Sequence, residues 1–230
     1  MPSNAPSRLA VIIPARNEAS RIGAVLAALP DRLPGFDELR VFVVDDGSSD
    51  RTAAIARSHG ARVLRHRVNL GKGGALRTGC EAAVRSGCEV LVFMDADGQH
   101  RAEDLPALLL PIQTGRADLV LGTRRFSSEM PGTMRLGNWG LSGLFGILFG
   151  QRVRDTQSGM RAMRAAIYPH LRWEAASYAV ETEMLVRAAR AGVRVQEVEI
   201  KTVYLDAYKG TTIADGLRIF GSMLRWRARR

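Results

Sequence analysis

Short apolar runs alternate with helix-patterned segments through the first half of the chain, and that alternation leaves few folds open to it. Residues 9–13 (LAVII), 41–44 (VFVV), 62–64, 90–94 (VLVFM) and 119–121 read as strands, with Pro14 ending the first. Helical spacing fills the gaps: from about 18 to 29 with Ile22, Val25, Leu26 and Leu29 on one face, and from a Ser49 or Asp50 cap to about 59. Two more helices are expected from Gly71 to near Ser86 and over about 104–114. Strands joined through helices run parallel, because a tight hairpin cannot make that crossover. The unbroken VLVFM run suits a strand covered on both faces.

Beyond Arg124 the pattern changes. Residues 124–132 are rich in Ser, Pro and Gly and read as a loop, followed by a glycine-spaced apolar helix to Phe149. A helix over 180–191 and a strand over 193–200 come next. From Ile213 a last helix sets Ile213, Leu217, Phe220 and Leu224 on one face and Arg218, Ser222, Arg225 and Arg229 on another. No repeat or linker divides the 230 residues. The expectation is one α/β domain over 1–230, a mostly parallel mixed sheet flanked by helices, with a tail at 1–8, a loop and helix at about 124–150, and a basic amphipathic helix at 213–230.

A net charge of +10 calls for an anionic partner: nucleic acid, an anionic membrane surface or a phosphorylated small molecule. Arginine usage alone is the competing explanation of that charge. Nucleic acid is set aside, since only 6% of residues are aromatic and no reader motif is present. The two cysteines, Cys80 and Cys88, match no metal-ligand spacing and suit a reducing cytoplasm. Residues 1–8 are polar, without a signal core, and the longest apolar stretch, 139–149, is too short to cross a bilayer. The expected location is cytoplasmic, with peripheral contact at the cytoplasmic membrane face as the extension.

The chemistry gathers at strand ends. Asp95-Ala96-Asp97 closes the buried strand, with Gly98 and Gln99 after it, and ligands of open α/β sheets bind beyond such carboxyl ends. Asp95, Asp97 and Gln99 offer oxygen ligands to a hard divalent cation, without which two adjacent carboxylates repel each other. Asp45-Asp46-Gly47-Ser48 ends the second strand and should lie beside Pro14-Ala15-Arg16-Asn17-Glu18. Three polar strand ends converging suit a nucleotide. The first turn lacks the glycines of a dinucleotide-binding fold, and the Gly71-Lys72-Gly73-Gly74 turn lacks the spacing of a phosphate-binding loop.

The runs VIIPARNE, VVDDGSSDRT, NLGKGGALRTG, FMDADGQH and GTRRF, spread over roughly residues 9–126, resemble glycosyltransferase family 2 and its GT-A type of nucleotide-sugar-binding fold. DADGQH and RDTQSGMRAM are similar to the dolichyl- and polyprenyl-phosphate mannosyl- and glucosyltransferases within it. That resemblance implies an inverting hexosyl transfer from a UDP- or GDP-sugar to a polyprenyl phosphate; a soluble hydroxyl or phosphate acceptor is the alternative. It implies base and ribose contacts by Pro14, Ala15 (where relatives commonly carry Tyr), Glu18, Val44 and Asp46. Asp95, Asp97 and Gln99 would hold Mg²⁺ or Mn²⁺ against the diphosphate, with the Ala96 backbone on the nucleotide and Lys209 closing over it. Asp97 would serve catalysis directly, Arg124 would reach phosphate or acceptor, and Asp155 would position the acceptor or act as base if the nucleophile is a hydroxyl.

A phosphate monoester has a second pKa near ~6 and is anionic at neutral pH, so as nucleophile it needs cations more than a base. Arg124, Arg125 and Arg135 flank the expected acceptor loop and meet that need. The glycine-spaced helix and the basic C-terminal helix have two fates open to them: the bilayer interface or the core. Glu181 and Glu183 read as site acids or as plain helix surface, and His66 and His100 as structural.

Overall fold

The computed structural model describes residues 7–124, 132–177, 179–201 and 213–228; of residues 124, 132–139, 213–215 and 217 it describes the backbone only. Strand β1 (Arg8–Ala15) runs parallel between β2 (Glu38–Asp45) and β4 (Val90–Phe93), and β3 (Arg62–Arg65) extends the sheet beyond β2. On the far side β6 (Arg161–Arg164) pairs antiparallel with both β4 and β5 (Leu119–Arg124), and β7 (Val195–Ile200) pairs parallel with β5. The described residues thus build a seven-stranded mixed sheet in the order β3-β2-β1-β4-β6-β5-β7.

Helices cover both faces. Along β1, Leu9, Val11 and Ile13 enter one core with α1 (Ile22–Ala27), α2 (Thr52–Ser58) and α4 (Leu105–Gln113). Ala10 and Ile12 enter the other, built with α3 (Gly71–Arg85), α5 (Gly132–Phe149), α6 (Tyr168–Leu171), α7 (Val180–Arg190) and α8 (Ile213–Ala228). The alternation of a strand thereby feeds two cores, as its unbroken apolar character requires. Helix α3 lies close on the sheet at Gly79, where a Cβ would come within 2.4 Å of Ile12 Cγ2.

Two boundaries differ from the sequence expectation for physical reasons. Pro14 does not end β1. Alternate residues face alternate neighbours, and Ile12 bonds toward β4, so Pro14 faces the same way, past the last β4 pairing at Phe93. Its missing N–H leaves no ladder bond unmade. Helix α1 starts at Ile22 and not near Glu18, because the backbone of 17–19 is bonded to side chains of 48–52.

The segment that became β6 and α6 carried no clear pattern, since β6 opens with Arg161, a charged residue that is 1% exposed. Helix α8 also turns differently from the simplest reading. Ile219 and Met223 enter the core, whereas Phe220 and Leu224, from the face marked by the spacing, stay 44% exposed. Among the described residues no helix is long and apolar enough to cross a membrane.

Candidate active site

A cleft of about 400 Å³ opens where β1, β2 and β4 end. Pro14, Ala15, Arg16 and Glu18 line it from β1, Asp46 from β2, Asn69, Gly71 and Lys72 from the start of α3, Asp95, Ala96 and Asp97 from β4, and Ser177 from the loop before α7.

The β1 turn is held in shape by its neighbour. Asn17 takes a positive φ of 54°, and its N–H donates to Ser48 Oγ at 2.9 Å. Glu18 N–H donates to Thr52 Oγ1 at 2.9 Å and Ala19 N–H to Asp50 Oδ2 at 3.1 Å. The acidic run after β2 therefore clamps the turn after β1. Asp46 fixes the third wall. Its Oδ1 accepts the Leu70 N–H and lies 2.8 Å from His66 Nδ1, and its Oδ2 accepts the Gly71 N–H at 2.8 Å. Both oxygens are committed to holding the start of α3, and His66 is fixed in turn 3.0 Å from Thr78 Oγ1. Val44 is fully buried; it lies outside the cleft lining and packs near Gly79 behind the wall.

The acidic end of β4 meets a lysine. Lys72 Nζ lies 2.7 Å from Asp95 Oδ1 and 2.9 Å from Glu181 Oε1 on α7. Burial works to lower the Lys72 pKa, but the two carboxylates outweigh it and hold the ammonium well above the ordinary lysine range. The second Glu181 oxygen is buried with no hydrogen-bond partner among the described residues. Asp95 is oriented by His100, whose Nδ1 accepts the Asp95 N–H at 3.0 Å, which leaves the ring proton on Nε2. Asp97 accepts the Gln99 N–H at 3.0 Å, and burial, then the charge of Asp95, push its carboxyl above the usual range. Gly159 lies against this cluster: a Cβ there would stand 2.4 Å from Asp95 Oδ2 and 3.0 Å from Lys72 Nζ.

Arg161 braces the floor. Its Nε donates to the Ser158 carbonyl at 2.9 Å and its terminal nitrogens to those of Glu181 and Thr156 at 2.7 and 2.9 Å. Burial lowers its pKa to about 10, against the raising charges of Glu181, Asp155 and Asp95. Glu183 has a scaffold task. It accepts the Glu174 and Ala175 N–H groups and pairs with Arg187 at 2.7 Å, which shapes the 172–177 loop beside the cleft. That loop presses on Gly73, whose N–H donates to the Ala176 carbonyl at 2.8 Å; a Cβ at Gly73 would come within 2.0 Å of the Ala175 oxygen.

The expected donor residues Pro14, Ala15, Glu18, Asp46, Asp95, Ala96 and Asp97 come together in one cleft. Gln99 is half-buried and outside the lining, and Asp155 is fully buried, accepting the Gln157 N–H at 3.0 Å. Arg124 is the last residue of β5 and Arg135 falls in the first turn of α5, both described by backbone alone; Arg125 and Lys209 lie outside the described residues. Sequence reasoning passed over Lys72 and left Glu181 open. A signal was present for the second: Glu181 shares the i, i+3, i+4, i+7 spacing of Met184, Leu185 and Ala188, a carboxylate on the apolar face of α7.

The chain is 31% identical over 239 residues to the UDP-N-acetylglucosamine–dolichyl-phosphate N-acetylglucosaminyltransferase of Methanococcus voltae, covering 93% of this chain and 94% of that protein. It is 36% identical over 208 residues to the undecaprenyl-phosphate mannosyltransferase of Micrococcus luteus, covering 85% and 84%. In fold it resembles the GT-A glucosyl-3-phosphoglycerate synthase of Mycobacterium tuberculosis, solved with Mn²⁺, UDP-glucose and phosphoglyceric acid, at a TM-score of 0.78 and 24% identity over 97% of this chain and 80% of that one. Residues 10–171 match the model of Glycosyl transferase family 2. That match runs through β1, β2 and β4 and the turns that shape the cleft, and the chain belongs to glycosyl transferase family 2.

Proposed function

We propose that this glycosyltransferase moves a hexose, glucose or mannose, from a UDP- or GDP-sugar to a polyprenyl phosphate, with inversion at the anomeric carbon. The observation that carries the reading is the meeting of Asp95, Asp97 and Lys72 on the wall of a cleft formed by three strand ends. Relatives that act on dolichyl and undecaprenyl phosphates support the acceptor class.

The donor set suits Mg²⁺ or Mn²⁺: hard carboxylate oxygens on Asp95 and Asp97, the second of them driven toward its proton by burial and then by the charge of the first, with Gln99 as a further oxygen. A cation held by these oxygens would supply charge neutralisation to the departing diphosphate. Pro14, Ala15 and Glu18 hold the base and ribose. Asp46 acts through the backbone of 70–71 that it fixes, Val44 backs the wall, and Ala96 meets the nucleotide through its main chain. Lys72 faces the diphosphate from the start of α3, and Lys209 closes over it.

An oxygen of the acceptor phosphate attacks the anomeric carbon on the face opposite the diphosphate. The new C–O bond forms as the bond to the diphosphate oxygen breaks, and that electron pair leaves with the nucleotide. The attacking oxygen is already anionic, so the protein must chiefly hold two anions together, the task of Arg124 and Arg135, with Asp155 setting the acceptor segment from beneath. The working location is the cytoplasmic face of the membrane, reached peripherally by one glycosyltransferase domain.

The test is nucleotide release from a panel of UDP- and GDP-sugars, Mn²⁺ present, with and without a short polyprenyl phosphate. Release that depends on the lipid with one donor supports the reading and names the sugar. Donor binding with no lipid dependence moves the acceptor to the soluble class.

A further inference from the structure

The Gly71-Lys72-Gly73-Gly74 turn lacks the spacing of a phosphate-binding loop, yet it delivers one ammonium into the acidic corner of the cleft. Lys72 Nζ lies 2.7 Å from Asp95 Oδ1 and 2.9 Å from Glu181 Oε1. The other oxygen of Asp95 packs against Gly159, where a Cβ would stand 2.4 Å away. The carboxylate expected to serve a divalent cation therefore has one oxygen under an ammonium and the other against the main chain.

Glu181 is placed to keep that ammonium. It is 4% exposed, and its Oε2 is buried with no hydrogen-bond partner among the described residues. Arg161 lies close by, but its hydrogen bonds to oxygen go to three main-chain carbonyl groups and not to the Glu181 carboxylate. A buried carboxylate oxygen left without a donor is costly, and a small shift of the Lys72 ammonium would satisfy it.

The backbone around Lys72 cannot supply that shift. The Gly71 N–H is held by Asp46 Oδ2 and the Gly73 N–H by the Ala176 carbonyl, each at 2.8 Å. The four-carbon stem can supply it, being flexible and ending in three rotatable donors. Gly159 leaves the room, since a Cβ there would stand 3.0 Å from Nζ. Charge favours an exchange as well. Asp95, Asp97 and Glu181 set three carboxylates around one ammonium, and the two negative charges left over match one divalent cation.

We propose that Lys72 is an exchangeable counter-ion: it holds Asp95 in the metal-free protein and passes wholly to Glu181, through the orphaned oxygen of that carboxylate, when Asp95 serves a divalent cation. Lys72 is then never stranded, and the wall of the cleft keeps its ammonium in both states. The inference rests on the reading of Asp95 as a cation ligand and adds the residue that competes for it.

Titration of the full chain with Mn²⁺, followed by the spin-resonance signal of the free ion, tests the exchange without turnover. Lys72→Met combined with Glu181→Gln removes one charge of each sign, so the net charge of the corner is unchanged while Asp95 is released. This pair should bind Mn²⁺ alone about tenfold more tightly than the wild type. Glu181→Gln by itself leaves Lys72 with Asp95 and no carboxylate to pass to, and should bind Mn²⁺ about tenfold more weakly. Opposite signs in two proteins that share Glu181→Gln single out the lysine. Lys72→Gln with Glu181→Gln repeats the measurement with a hydrogen-bonding pair where the methionine variant fails to fold.

Wild-type or weaker Mn²⁺ affinity in the paired variants overturns the proposal and leaves Lys72 a structural tie, with the metal reading intact. Absence of Mn²⁺ binding in every protein overturns both. Parallel arms with UDP or GDP report on the donor: Mn²⁺ affinity indifferent to both goes against the nucleotide-sugar reading, while the arms with Mn²⁺ alone still decide the exchange.

Discussion

Lys72 Nζ stands 2.9 Å from Glu181 Oε1 while holding Asp95 Oδ1 at 2.7 Å, so one ammonium on α3 ties α7 to the acidic end of β4. Three segments far apart in sequence meet at one positive charge. The charge balance of the cleft is set there as much as at the Asp95-Ala96-Asp97 run.

Lys72→Met leaves the buried Glu181 carboxylate without its counter-charge. Removing one partner of such a pair costs about 3–5 kcal/mol, read as a shift of the urea midpoint. Adding Glu181→Gln should recover part of the loss. Additive losses in the double variant would show that the two side chains are not coupled.

Asp97 titrates in a direction that can be checked. Burial and the Asp95 charge raise its pKa, so the stability it contributes is present below the unfolded carboxylate value near ~3.9 and is lost as pH rises through the raised folded value. At neutral pH the metal-free protein carries that repulsion. Asp97→Asn should raise the melting temperature of the metal-free protein at pH 7, flatten its acid-side pH dependence, and lower turnover by at least about a hundredfold. A melting temperature that falls at pH 7 would contradict the repulsion.

Much of this was legible in the sequence, and the losses have specific causes. The polar turns that follow β1, β2 and β4 declared themselves where apolar runs stop, and Pro14, Asp46 and Asp95 do line one cleft. Strand β6 was invisible because Arg161 is buried by bonding to three carbonyl groups, a satisfaction that only tertiary structure supplies. Asp46 was legible as a cleft residue but not as the clamp on Leu70 and Gly71. Helix α8 was legible as amphipathic, yet its spacing could not say which of two apolar sides meets the protein.

Gly159 tests the packing of the cluster. In Gly159→Ala the new Cβ must push Asp95 Oδ2 from 2.4 Å and Lys72 Nζ from 3.0 Å. Displacement of order 1 Å at a reacting site costs about a hundredfold in rate, while overpacking costs at most about 1–3 kcal/mol of stability. Unchanged kcat/KM would mean that the cluster is slack.

Glu183 should act on the donor through the loop it shapes. Glu183→Gln removes the charge that receives the Glu174 and Ala175 N–H groups and Arg187. A loss of about 1.5–3 kcal/mol is expected for charge-assisted bonds of this kind, with KM for the donor rising more than kcat falls. A pure kcat effect would remove Glu183 from the scaffold and place it in the chemistry.

The most direct measurement follows label from a sugar-labelled UDP- or GDP-hexose into an organic extract, with Mn²⁺ and a short polyprenyl phosphate, for the wild type and Asp97→Asn. The account predicts label in the organic phase with one donor, on an inverted anomeric linkage, and its loss in the variant. Label that stays aqueous with every donor, or that reaches the lipid equally well in Asp97→Asn, would contradict it.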